Sequence, residues 1–344
     1  MATAKVAAIR VVFWNAKRLC AGAPSAKREW LKTRLDESSP SLVLLAEVDG
    51  GHVDMQRMRG WAGRQGYNMR WLMASSTPGV NGIVALLRKE AGAFGRVVAL
   101  HERVLGVEVL HRRGVADGRR RQYVAIHGLH GHEGTGESGD VVWSGAGRGQ
   151  VSRGVSAQLA AARACTEAAG GGVIIGDFNA VPCKRWRTAG TAIGVSGRLL
   201  RRICGRVCSC CSPTSESPDA TCYVIGGAGL GPWSGEAQIG WTRFATQAGT
   251  WTRPTSRIDF GVALGSEGGA WRIRDQTAPA WETGSHSDHV LVEVERDVTI
   301  ESGRELRARP AWRGGGGPLR NGRSVEAVAA KRLGGRYDVE FELR

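Results

Sequence analysis

Nowhere in this 344-residue chain is there an uninterrupted apolar run of the roughly 18 residues that a bilayer-crossing helix needs, so a helical membrane protein is excluded. The amino terminus, Met1-Ala-Thr-Ala-Lys-Val, also lacks a basic segment followed by an apolar one and a cleavage site. It enters a strand-like stretch within a few residues, and an intracellular, nuclear or cytoplasmic protein is expected. Internal repeats are missing, which removes solenoids and propellers. Acidic residues are the scarcer charge, 32 against 47 Lys and Arg, giving a net charge of +15 and a pI near 10.1. That excess favours a polyanionic partner, nucleic acid first and an acidic membrane surface second. The arginines could equally reflect a biased genome, so charge alone decides nothing. A disulfide framework is not evident either, since the 8 cysteines are few for the length and several fall in strand- or helix-like segments. Cys204, Cys208, Cys210, Cys211 and Cys222 crowd together, but their spacing matches none of the paired zinc patterns. Free thiols in an irregular insertion are the expectation there, with a thiolate zinc site as the alternative.

What is present is a foldable chain, 42% hydrophobic and 23% charged, long enough for one large layered domain or two ordinary ones. Apolar runs ending in polar residues recur from the start: Val11-Val12-Phe13-Trp14 into Asn15, and Leu42-Val43-Leu44-Leu45 towards Glu47. Each reads as a buried strand delivering a polar side chain at its carboxyl end. Between them Ser25 is placed to cap a helix with Trp30, Leu31 and Leu35 inward, so the opening reads strand, helix, strand. Further strands are expected at Gly82–Leu87, Val97–Leu100, Val104–Leu110, Tyr123–His127, Val173–Asp177, Ile258–Leu264 and Val290–Val294. A helix from Val151 to Ala169 aligns Val151, Val155, Leu159 and Ala162 and stops at Gly170-Gly171-Gly172. Residues 183–249 read as a loop-rich, Cys-rich excursion inside a catalytic domain spanning 1–297. Residues 298–344 read as a basic Gly/Arg-rich tail outside the core.

Three local patterns carry chemistry. In Gly176-Asp177-Phe178-Asn179 a buried strand stops and presents two polar side chains, although a strand followed by Gly-Asp is also a common turn. In Ser287-Asp288-His289, ahead of Val290–Val294, a carboxylate adjoins an imidazole, which suits a metal ligand beside a proton carrier; a plain polar turn is the bland reading. In Arg257-Ile258-Asp259 a carboxylate sits one step into a strand between apolar neighbours, and a buried Asp needs a partner such as histidine.

Taken in order with Trp14-Asn15 and the strand-end Glu47, these motifs resemble the endonuclease/exonuclease/phosphatase superfamily over about residues 8–295. The resemblance implies a four-layered α/β sandwich, two packed mixed β-sheets flanked by helices. It implies a magnesium ion, or manganese in its place, held by Glu47 with Asn15 and Asp288 directly or through water. It further implies that His289, oriented by Asp259, either activates the attacking water or stabilises the transition state. Asp177 would bind and polarise that water or protonate the leaving oxygen, with Asn179 fixing its position. His127, ending the Tyr123–His127 strand, looks like the histidine that assists the leaving group in deoxyribonuclease I relatives; His130 is the alternative. Such a set meets what phosphodiester hydrolysis demands, a cation, a positioned water and a proton for the departing alkoxide, without a covalent intermediate. Relatives commonly carry glutamine before the glutamate, where this chain has Ala46.

Members of the superfamily act on abasic DNA, on DNA or RNA generally, on inositol phosphates and on sphingomyelin, so loops decide the substrate. The positive charge points to DNA, with RNA open, since each phosphate neutralised by Lys or Arg releases counterions. Arg112-Arg113, Arg119-Arg120-Arg121, Arg185-Trp186-Arg187 and Arg201-Arg202 are candidate phosphate contacts, each of which could instead be a solvated face. Trp71, Trp186, Trp233, Trp241 and Trp251 are candidates to stack on bases, though most tryptophans are core residues. The stretch Gly249-Thr250-Trp251-Thr252-Arg253-Pro254, just ahead of Arg257, looks like the corresponding stretch of non-LTR retrotransposon endonuclease domains. A retrotransposon-type target-nicking endonuclease is therefore expected. The alternatives are an abasic-site repair endonuclease, a phosphatase or phosphodiesterase, and a nucleic-acid-binding module that has lost catalysis.

Overall fold

A computed structural model of the protein describes residues 5–20, 25–72, 82–101, 103–111, 121–127, 153–178, 222–225, 243–247, 250–256, 259–265, 271–277, 287 and 289–300. In chain order the elements are β1 (Lys5–Asn15), α1 (Ser25–Ser38), β2 (Leu42–Ala46), α2 (His52–Arg64), β3 (Tyr67–Leu72) and β4 (Ile83–Arg88). Next come β5 (Gly92–His101), β6 (Val104–His111), β7 (Arg121–His127), α3 (Arg153–Ala168) and β8 (Gly172–Asp177). The last are β9 (Cys222–Ile225), β10 (Arg243–Gln247), β11 (Thr250–Ser256), β12 (Asp259–Leu264), β13 (Arg272–Thr277) and β14 (Leu291–Ile300).

Strand alternation explains the layering. In β1, Val11 and Phe13 face one way and Val12 and Trp14 the other, and both sets are buried. The first set meets Leu42, Leu44 and Ala85 of neighbouring strands and, across a second sheet, Val107, Tyr123, Ala125, Val173 and Ile175. The second set packs beneath α1 and α2 against Trp30, Leu31, Met55, Met58 and Trp61. One sheet therefore runs β13-β14-β1-β2-β4-β3 and the other β5-β6-β7-β8-β12-β9. Helix α3 lies on the outer side of the second, against β5, β6, β7, β8 and β12. The result is the expected four-layered α/β sandwich of two mixed sheets, and each fully buried Leu or Phe contributes about 1.5–3 kcal/mol to it.

Each sheet is built around a parallel pair joined by a crossover helix, β1-α1-β2 in one and β7-α3-β8 in the other. Antiparallel partners complete the pattern, β14 beside β1 and β12 beside β8. Four strand ends relevant to function thereby fall at one edge of the sandwich: the carboxyl ends of β1, β2 and β8, and the amino end of β12.

Several differences from the sequence reading have physical causes. Helix α2, whose apolar positions are interrupted by Gly60 and Gly63, and strand β3 are additional elements. The 183–249 excursion contains β9, which joins the second sheet beside β12, and β10, which pairs with β11 as a separate two-stranded ribbon. Short runs such as Cys222-Tyr-Val-Ile are hard to distinguish within a Gly- and Ser-rich background. Strand β14 runs past Asp297 to Ile300, because Val298 still packs in the core between the sheets.

Candidate active site

The inward-facing alternation of three strands ends in polar residues at the same edge. Val11 and Phe13 lead to Asn15, Val173 and Ile175 to Asp177, and, read backwards, Ala263 leads to Asp259. Backbone pairing puts His127, Asp177 and Asp259 level with one another across β7, β8 and β12. Gly176 makes this possible: a Cβ there would lie 2.0 Å from the Ile126 carbonyl oxygen. The residues after the two aspartates, Phe178 and Phe260, stack at 4.2 Å between ring centroids and pin the two strand ends together on the opposite face.

Asn15 joins the two sheets. Its side chain is 1% exposed, and its Nδ2 donates to Glu47 Oε1 at 3.1 Å and to Asp177 Oδ2 at 3.2 Å. Two carboxylate acceptors fix which end of the amide faces them. The Oδ1 atom is buried and has no hydrogen-bond partner among the described residues. Glu47, half-buried, leaves the strand parity of β2 because it adopts φ +51°, which turns its side chain back towards Asn15.

His289 is 5% exposed and Asp259 fully buried. Nδ1 of the imidazole lies 3.0 and 2.9 Å from the two oxygens of Asp259. An ionised carboxylate only accepts, so Nδ1–H donates and Nε2 is turned towards Asp177, 3.9 Å from its Oδ2. Two further contacts hold the histidine segment against β1. Ser287 Oγ donates to the Asn15 carbonyl at 2.6 Å and accepts from the His289 N–H at 3.2 Å, and Trp14 Nε1 donates to the His289 carbonyl at 3.2 Å.

The donor set fits a hard divalent cation. Ligand atoms of Asp177, Asp259 and His289 lie within 4.8 Å of one another. Asp259, with both oxygens against His289, is already engaged as the partner of the imidazole. The Glu47 carboxylate is a further oxygen donor, tied to Asp177 through the Asn15 amide, and the buried Asn15 Oδ1, without a partner among the described residues, is an atom that an oxygen-preferring ion would satisfy.

Of the residues singled out from sequence, the structure brings together Asn15, Glu47, Asp177, Asp259 and His289. His127 is at the same edge by backbone register. The side chains of His127 and Trp251 lie outside the described residues, as do Asn179, Asp288, Arg257, Arg185 and His130. The cysteine cluster falls there too, except the backbone of Cys222 in β9; Cys20 and Cys165 are free thiols. Burial pushes Cys20 up to about 12, which suits an inert core residue. Trp71, half-buried near the carboxyl end of β3, packs on the cluster beneath α2. One expectation is corrected. Arg121 opens β7 at the edge opposite the site and is no contact for a phosphate held there. Sequence reasoning gave no role to Ser287, and Trp14 was noticed only as the neighbour of Asn15; their part lies in bonds across more than 270 positions of chain.

The model of the endonuclease/exonuclease/phosphatase family matches residues 12–297. The chain belongs to this family. It is thus one of a group named for nucleases and phosphatases, hydrolases of phosphate esters. No curated protein matches the sequence. Among solved structures the fold is similar to the AP endonuclease LMAP from Leishmania major, at TM-score 0.58 and 14% identity over 84% of this chain and 87% of that one. It is also similar to the 3'-5' exonuclease NExo from Neisseria meningitidis, at TM-score 0.53 and 14% identity over 84% of this chain and 99% of that one. The 3' phosphatase NExo from Neisseria, bound to a product DNA hairpin, matches with the same values. These identities speak for a shared fold. Among the described residues no helix is long and apolar enough to cross a membrane.

Proposed function

We propose that this protein is a magnesium-dependent endonuclease that hydrolyses phosphodiester bonds in DNA. The observation that carries the reading is the Asn15 amide, which ties the Glu47 carboxylate to Asp177 beside a histidine fixed by a buried aspartate. Glu47, the Asn15 Oδ1 atom and Asp288 would hold Mg2+, or Mn2+ in its place; when bound, the ion supplies positive charge to a non-bridging phosphate oxygen.

The chain's own groups do the rest. Asp259 keeps the proton on Nδ1 of His289, leaving Nε2 with its lone pair on the side of Asp177. There it takes a proton from the attacking water, and the resulting imidazolium is stabilised by Asp259 behind it and Asp177 in front. Asp177, assisted by Asn179, orients that water in line with the scissile bond. As the new P–O bond forms, the bond to the departing oxygen breaks, and His127 supplies the proton that oxygen needs. Arg257 and Arg185 contact flanking phosphates and Trp251 stacks on a base. Strand β11, which bears Trp251, leads directly towards Asp259, in support of that assignment.

The resemblance of Gly249–Pro254 to retrotransposon endonucleases favours target-site nicking over repair. Supercoiled plasmid, an abasic duplex, RNA and inositol phosphates, each incubated with Mg2+ or chelator, test this. Nicking of intact plasmid in Mg2+ alone is expected, with Glu47→Ala and His289→Ala inactive. Preference for the abasic duplex would make it a repair enzyme. Undiminished cutting by both variants would remove the enzymatic role from this site.

A further inference from the structure

The turn after β1 is an unusual piece of backbone. Lys17 and Arg18 adopt φ +37° and +63°, a conformation that costs an L side chain about 1–2 kcal/mol each. The turn runs alongside the one after β2, where Glu47 and Asp49 are also left-handed, at φ +51° and +37°. Backbone bonds join the two: the Ala16 N–H to the Ala46 carbonyl at 2.9 Å, Arg18 to Glu47 at 2.6 Å and Cys20 to Val48 at 2.7 Å. The arrangement that presents Asn15 and Glu47 to each other is therefore strained on both sides and must be held from outside.

Lys27, in the first turn of α1, is placed to hold it. Its side chain is 7% exposed, unusual for lysine. Its Nζ donates to the Ala16 carbonyl at 3.0 Å and to the Lys17 carbonyl. Those are the carbonyls of the residues directly after Asn15. Burying an ammonium costs several kcal/mol unless its protons are satisfied. Here they go to the peptide groups whose orientation defines the left-handed turn.

We infer that Lys27 is a positioning residue: its buried ammonium clamps the 16–18 turn onto the 46–48 turn and keeps Asn15 and Glu47 converged for a divalent cation. The inference rests on the proposed use of Asn15 and Glu47 as cation donors. Mn2+ binding to the full chain, followed by electron paramagnetic resonance without nucleic acid, tests it separately from catalysis. Lys27→Met should weaken Mn2+ binding about 10–100-fold, the scale on which groups behind metal ligands act. Lys27→Arg, which keeps charge and donors, should recover most of the loss. The metal half-saturation of cleavage should move in parallel, while kcat at saturating metal is retained. Should Lys27→Met fail to fold, Lys27→Gln, which keeps donors without the charge, carries the same measurement. Unchanged Mn2+ affinity in these variants, or no recovery with Lys27→Arg, overturns the inference and leaves Lys27 an ordinary support of α1. A parent chain that binds Mn2+ yet leaves DNA intact defeats the nuclease reading alone; one that binds no Mn2+ overturns both.

Discussion

Two histidines lie at opposite edges of the same core, and their surroundings separate a working imidazole from an inert one. His289, where β8 ends and β12 begins, donates an Nδ1–H hydrogen bond to the buried Asp259 and faces a second carboxylate, Asp177. His111 ends β6 at the other edge, on the face that Leu105, Val107 and Val109 line, with its Nε2 2.9 Å from the hydroxyl of the buried Tyr123. No carboxylate serves it in that bond. Burial, helped by the positive charge of Arg121, pushes its pKa from 6.5 down to about 4. Burial alone makes an imidazole neutral and unresponsive; an adjoining carboxylate lets a buried imidazole accept a proton and keep it.

Breaking the carboxylate partnership should have the largest effect. His289→Ala removes the base, and Asp259→Asn leaves the shape but no longer holds the proton on Nδ1. Each should lower kcat by about 10³-fold, within the range for a lost general base and its orienting group. KM should change little, since neither group is proposed to bind flanking phosphates. Single-turnover nicking with the fold checked by circular dichroism measures this. Activity in Asp259→Asn within a few-fold of the parent would mean that the two edges do not differ as described.

How much of this edge could be read from the sequence depends on what its geometry rests on. Asn15, Asp177 and Asp259 lie where a period-two apolar run meets a polar residue, so alternation alone foretells their inward direction. Glu47 breaks parity through a positive φ on a non-glycine residue, and only packing across the two turns enforces that. The bonds from Ser287 and Trp14 and the clamp from Lys27 are likewise tertiary, joining segments that no local pattern relates. Helix α2 escaped notice because Gly60 and Gly63 weaken its helical signal, although Met55, Met58, Trp61 and Ala62 mark its inner face once the fold is known.

A smaller effect tests whether the edge needs its close strand approach. In Gly176→Ala the new Cβ would lie 2.0 Å from the Ile126 carbonyl oxygen, backbone that cannot rotate away. β7 and β8 must separate, at a cost of about 3 kcal/mol, the upper end for overpacking. Urea unfolding should register that loss. Cleavage should fall as well, because Asp177 is the next residue. Full activity with full stability would mean that the strands already have room.

The smallest effect belongs to the silent edge. His111 is neutral when folded down to about pH 4, whereas the unfolded chain titrates it near 6.5. Above pH 6.5 both states are neutral and the group adds no pH dependence. Between 6.5 and 4 the unfolded chain takes up a proton that the folded chain refuses, so stability falls with pH; below 4 both are charged and the loss levels off. From pH 7 to pH 5 this one group should remove about 2 kcal/mol. His111→Gln, which can still bond the Tyr123 hydroxyl but does not titrate, should lack that increment in paired urea titrations at the two pH values. Its cleavage at pH 7 should match the parent, because nothing in the reaction draws on that edge. A variant that loses activity while keeping the parent's acid sensitivity would reverse the roles assigned to the two histidines.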